Sequence, residues 1–98
     1  MFYVYVLKSE RDGRWYTGMT GNLEARLKAH LSGQVYSTRY RNPLILAYYE
    51  VCFSEEDAKR RERYLKSGRG KHYLRQRLAA WMMENCESKP ELHQELAE

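Results

Sequence analysis

The run Phe2 to Lys8 (Phe-Tyr-Val-Tyr-Val-Leu-Lys) is aromatic or β-branched almost throughout and contains no glycine or proline, the composition of a strand. Side chains of a strand alternate between its faces. Here both alternating sets, Phe2/Val4/Val6 and Tyr3/Tyr5/Leu7, are bulky. A strand with two apolar faces must be covered on both, which places it at the centre of a sheet. The next segment supplies its neighbour. Asp12-Gly13 is a turn signal and Trp15 to Met19 resumes strand character, so the two runs form an antiparallel hairpin that brings Tyr5 and Tyr16 together. Gly18 ends the second run, where it supplies either a backbone conformation or a close approach that a side chain would block.

Asn22 is a good N-cap for a helix running to His30, and Gly33 is placed to stop it. Leu23, Leu27 and Leu31 give that helix a narrow apolar stripe. At about 100° per residue, Arg26 and His30 fall about 60° and about 20° from Leu23, at the border between core and solvent. Residues 34–43 are polar and basic and read as a loop, and Leu44 to Phe53 is long and apolar enough for a third strand. Ser54 with Asp57 resembles a capping box. The helix it opens places Ala58, Glu62 and Leu65 on one face, so Glu62 is a carboxylate inside an apolar stripe, where an unpaired charge is costly. Gly68 and Gly70 end that helix. A last amphipathic helix is expected from Lys71 to about Asn85, with Leu74, Leu78, Trp81, Met82 and Asn85 on one side.

A chain of 98 residues makes one domain. We expect that domain over residues 1–83 and a frayed acidic tail over 84–98. Beyond Met83 there are five glutamates and one lysine, a net of −4 that leaves +8 on residues 1–83 against a chain total of +4. A compact domain that basic attracts polyanions. No apolar run approaches the roughly 20 residues of a membrane span, and the opening residues lack a basic leader, so a cytoplasmic protein with no membrane partner is expected. Cys52 and Cys86 have neither metal-site spacing nor the number for a disulfide framework, and both read as buried reduced thiols.

Five residues carry chemistry. Glu62 is either salt-bridged, to Arg61, Arg26 or a lysine, or a ligand for a hard cation such as Mg²⁺. Arg26 can pair with Glu24 or Glu62, or its planar fork can hold a phosphate and stabilise charge developing on it. His30 is either structural or a partner for a phosphate or a tyrosine proton. Tyr5 and Tyr16 suit cross-strand packing. As a general base, a phenol with its ordinary pKa near ~10 needs cations beside it.

Tyr3-Val4-Tyr5 and Tyr16-Thr17-Gly18, followed in order by Arg26, His30 and Glu62, resemble the GIY-YIG nuclease family, and the run Arg61 to Gly70 resembles its small, stand-alone, single-domain members. Tyr3 stands where the first triplet has glycine, Thr17 where the second has isoleucine, and Met19 where some members place lysine. The resemblance implies an α+β domain, a three-stranded antiparallel sheet flanked by helices, that hydrolyses phosphodiesters with Mg²⁺ or Mn²⁺. It implies that Tyr16 activates water, Tyr5 orients water or phosphate, Arg26 stabilises the phosphorane, His30 contacts the phosphate or relays the tyrosine proton, and Glu62 holds the metal. Arg26, Lys66 and Arg69 are the expected nucleic-acid contacts. DNA in branched, damaged or single-stranded form is the expected substrate, with specificity that is structural, relaxed or supplied by a partner protein. Two other readings fit the same residues: a nucleic-acid-binding module that does not cut, and an interaction protein whose acidic tail docks elsewhere or masks the basic face.

Overall fold

The computed structural model describes residues 1–86. Its elements are β1 (Phe2–Ser9), β2 (Trp15–Thr20), α1 (Leu23–Leu31), a 3₁₀ turn (Tyr36–Thr38), β3 (Leu44–Cys52), α2 (Glu55–Lys66), α3 (Gly68–Arg77) and α4 (Ala79–Cys86). The sheet is antiparallel with order β2-β1-β3, so the doubly apolar strand is central. Val4 and Val6 point to one face and join Ala58, Leu65, Leu74 and Leu78 of the helices. Tyr5 and Leu7 point to the other and join Leu44, Leu23 and Leu27. Burying each of these aliphatic side chains contributes about 1.5–3 kcal/mol. No helix among the described residues is long and apolar enough to cross a membrane.

The hairpin closes as its sequence dictates. Gly13 adopts φ +74, its N–H donates to the Ser9 carbonyl at 2.8 Å, and Arg14 N–H donates to Asp12 Oδ1 at 2.8 Å. Asn22 caps α1 by accepting from Ala25 N–H at 3.0 Å, and Gly33 follows the helix at φ +79, the left-handed conformation suited to a helix end.

Several expectations are corrected. Leu31 is 57% exposed, whereas His30 is buried to 1% instead of lying at the solvent border. Both of its ring nitrogens find partners inside, which makes its burial cheaper than that of an unpartnered polar side chain. The polar segment 34–43 contains the 3₁₀ turn, whose Thr38 is fully buried. Ser54 stands at the N-cap of α2 but its side chain makes no capping bond, and Asp57 pairs with Arg60. The final helix is two helices, starting at Gly68 and interrupted at Leu78. Cys52 is a half-buried free thiol. α4 continues through Glu84 to Cys86, and the remainder of the expected tail lies outside the described residues.

Ser67 joins α2 to α3 directly. Its hydroxyl donates to the Tyr64 carbonyl at 2.6 Å and accepts from Gly70 N–H at 3.2 Å. A Cβ on Gly70 would collide with that same Tyr64 carbonyl oxygen and come within 2.6 Å of Leu65 Cα. Gly70 is therefore what lets the two helices meet at this angle. Gly70→Ala is expected to destabilise the fold by about 3 kcal/mol through overpacking against backbone, read as a lowered urea midpoint; a change below about 0.5 kcal/mol would show that the junction tolerates a side chain.

Candidate active site

β1 and β2 present Tyr5 and Tyr16 on the same face, but not directly opposite each other. Tyr5 is paired with Gly18 and Tyr16 with Leu7, so the tyrosines are diagonal neighbours with ring centroids 6.3 Å apart. A Cβ on Gly18 would lie 2.5 Å from the Tyr5 hydroxyl oxygen and 2.6 Å from its Cζ. The glycine of the second triplet thus leaves the space that the tyrosine of the first one fills.

α1 brings the next two residues. His30 Nε2 is 2.9 Å from the Tyr5 hydroxyl, and Nδ1 is 2.7 Å from Thr38 Oγ1. Arg26 Nε donates to the Tyr5 oxygen at 3.3 Å and Arg26 also interacts with the Tyr16 hydroxyl. The Tyr16 and His30 rings meet edge to face at 5.0 Å. A phenol is a better donor than an aliphatic alcohol, and the alcohol a better acceptor. The bonds therefore run from Tyr5 O–H to His30 Nε2 and from His30 Nδ1–H to Thr38 Oγ1. Thr38 is the member of the cluster that sequence reasoning missed, since nothing in its polar loop marks it.

Burial decides the electrostatics. It pushes the His30 imidazole down to about 4, with the Arg26 charge acting in the same direction, so the ring is neutral at pH 7. Burial also raises the Tyr5 phenol, outweighing the lowering effect of the Arg26 hydrogen bond; the charges of Tyr16 and Glu62 raise it further. A cation beside the tyrosines is present as expected, but at Tyr5 it does not prevail. Arg26 is half-buried and makes no ion pair among the described residues, which leaves its guanidinium free for an anion.

Glu62 lies on α2 between the buried Ala58 and Leu65, near enough for its charge to act on Tyr5. Its side chain keeps 24% exposure and pairs with Lys66 Nζ at 3.1 Å, whereas Arg61 pairs with Glu50. Among the described residues no three His, Cys, Asp or Glu side chains converge as a metal cage. One solvent-accessible carboxylate nonetheless fits a hard cation that keeps most of its waters. Arg69 is not brought to this cluster. It shares a groove with Tyr64, His72 and Tyr73 on α2 and α3.

A family model described as the GIY-YIG catalytic domain matches residues 1–84, and the chain belongs to that family, a family of nucleases. Its relatives are UPF0213 proteins. One from Clostridium perfringens is 46% identical over 67 residues, covering 67% of this chain and 71% of the relative. One from Staphylococcus haemolyticus is 41% identical over 66 residues, covering 66% and 79%. The solution NMR structure of a UPF0213 protein from Bacillus halodurans is 41% identical, with a TM-score of 0.48 over 76% of this chain and 82% of that one.

The histidine shift has a consequence for stability. The unfolded chain takes up the His30 proton near pH 6.5 and the folded chain only near 4. Between those values the unfolded state binds more protons, so the native state loses stability as pH falls. Relative to His30→Gln, the wild type is expected to lose on the order of 3 kcal/mol between pH 7 and pH 4, measured by urea unfolding at both; parallel losses would show that His30 does not titrate in this way.

Proposed function

We propose that this chain is a Mg²⁺- or Mn²⁺-dependent endonuclease that hydrolyses DNA phosphodiesters. The observation that carries the reading is the convergence of Tyr5, Tyr16, Arg26 and His30, with Glu62 within electrostatic reach. Tyr16 is the less buried of the two tyrosines and, as the phenolate, would take the proton of the attacking water. The Tyr5 proton is committed to His30, so Tyr5 orients the cluster and holds Arg26 in place. Arg26, free of carboxylates, accepts the charge that builds on the phosphate oxygens. Glu62 would hold the cation, which when bound neutralises charge on the scissile phosphate and leaving group. Its Lys66 partner is 56% exposed and can move to a phosphate as the carboxylate is taken up. Branched, damaged and single-stranded DNA are the substrates to examine first.

The test is cleavage of labelled single-stranded, duplex, flap and branched DNA with Mg²⁺ or with EDTA. Cutting in Mg²⁺ alone, reduced at least about 100-fold by Glu62→Ala and by Tyr16→Phe, is the expected result. Salt-sensitive binding without cutting, unchanged by either substitution, would make the chain a binding module and leave Glu62 a structural partner of Lys66.

A further inference from the structure

A cavity of about 590 Å³ opens where the β1–β2 turn meets α3, lined by Arg14, Trp15, Arg41, Lys71, Arg75 and Met82. None of the five residues of the candidate active site lines it. Its four cations come from three separate places: the residue before β2, the loop before β3, and two successive turns of α3. Among the described residues the one ion pair these cations make is that of Arg41, whose Nε lies 3.8 Å from Asp12 Oδ2, too far for a hydrogen bond; the same carboxylate is also within reach of the Arg14 charge. Arg41 Nε and Nη2 are buried with no hydrogen-bond acceptor. Like charges gathered around a cavity repel, and buried guanidinium donors without acceptors are unfavourable. An anion with several oxygens relieves the repulsion. The guanidinium fork matches a phosphate, and Trp15 and Met82 give an apolar wall for the sugar or base attached to it.

We propose that this cavity binds a backbone phosphate of a nucleic-acid strand at a position away from the scissile bond. The geometry connects the two sites. β2 is an edge strand, and its adjacent residues Trp15 and Tyr16 face opposite sides of the sheet, with Trp15 packed on the Val4/Val6 side and Tyr16 on the Tyr5 side. A strand leaving the tyrosine cluster reaches the cavity by crossing that edge. The expected contacts Lys66 and Arg69 do not line it. Lys71 and Arg75 lie on a different face of α3 from Arg69, His72 and Gln76. The path rests on the nuclease reading, whereas the phosphate site rests on the cavity itself.

The experiment measures anisotropy of labelled 20-nucleotide single strands and 20-base-pair duplexes in EDTA over a salt series, for wild type and Lys71→Ala/Arg75→Ala. Both side chains are exposed, so folding is preserved, and circular dichroism verifies this. The double variant is expected to bind about tenfold more weakly in ~0.1 M salt, with the slope of log affinity against log salt smaller by about 2. In parallel, a nucleoside 5′-monophosphate is titrated against Trp15 fluorescence in a Trp81→Phe background. Unchanged strand affinity and slope in the double variant would overturn the proposal. So would mononucleotide quenching with strand binding intact, which would make the ligand a free nucleotide. The nuclease reading fails separately, through absence of metal-dependent cutting by the wild type. A chain that binds but does not cut, and loses binding in the double variant, keeps the phosphate site and discards the nuclease.

Discussion

The Tyr5 hydroxyl ties together parts of the chain that are far apart in sequence. Through His30 it links the central strand to α1, and through Thr38 to the 3₁₀ turn, while Arg26 approaches from one turn earlier in the helix. Every polar atom in this chain of bonds has a partner, and that is the condition under which a buried polar cluster rigidifies a fold instead of weakening it. The bonds also explain the burial of His30 at the expense of Leu31. A leucine turned inward at that point would have left the tyrosine hydroxyl without an acceptor, a cost comparable to the gain from burying the leucine.

The opposite face of the sheet is organised by an ion pair. Arg61 Nε donates to both Glu50 oxygens, at 2.9 and 3.0 Å, and Tyr48 donates to Oε2 at 2.9 Å. The Arg61 guanidinium lies 5.1 Å from the ring centres of Tyr64 and Tyr73. This network binds β3 to α2 and α3. It also occupies the arginine next to Glu62 with a different carboxylate, so the pairing of Glu62 falls to the solvent-exposed Lys66. The division of charges leaves two cationic sites of different character: Arg26 at the tyrosines, and the group around Arg41 across the sheet.

Much of this was legible in the residues. The doubly apolar β1, the Asp12-Gly13 turn, the Asn22 cap and the glycine at position 33 are local signals, and each produced the element it predicts. The candidate site was legible as an ordered set of residue types that resembles the family pattern; β alternation put Tyr5 and Tyr16 on one face, whereas helix periodicity left His30 at the border of core and solvent instead of inside. The diagonal placement of the tyrosines and the role of Gly18 depend on hairpin register, which the turn sets. Thr38 was illegible because its partner is eight residues away with no regular element joining them. Two departures from the family pattern, Tyr3 and Met19, have neighbours that the sequence does not show. Tyr3, in place of a glycine, meets the Tyr49 ring at a tilt of 55° with centroids 6.2 Å apart, and Met19 packs into the Val4/Val6 cluster. The capping box at Ser54 failed because a motif offers a bond without obliging it to form.

The direct junction at Ser67 bears on the order in which the molecule assembles. α2 and α3 form a unit from residues 55–77, whereas β1 reaches β3 by closing a loop that brings Phe2 beside Cys52. Closing a long loop costs entropy before its contacts reward it, so local helix pairs form ahead of such pairings. Glu62 rides on that helix pair, Tyr5 on the central strand and Tyr16 on its hairpin neighbour β2. The carboxylate and the phenols come together only when α2 is docked on the β1–β2 hairpin, and a nascent or partly unfolded chain carries the pieces of the site without the site.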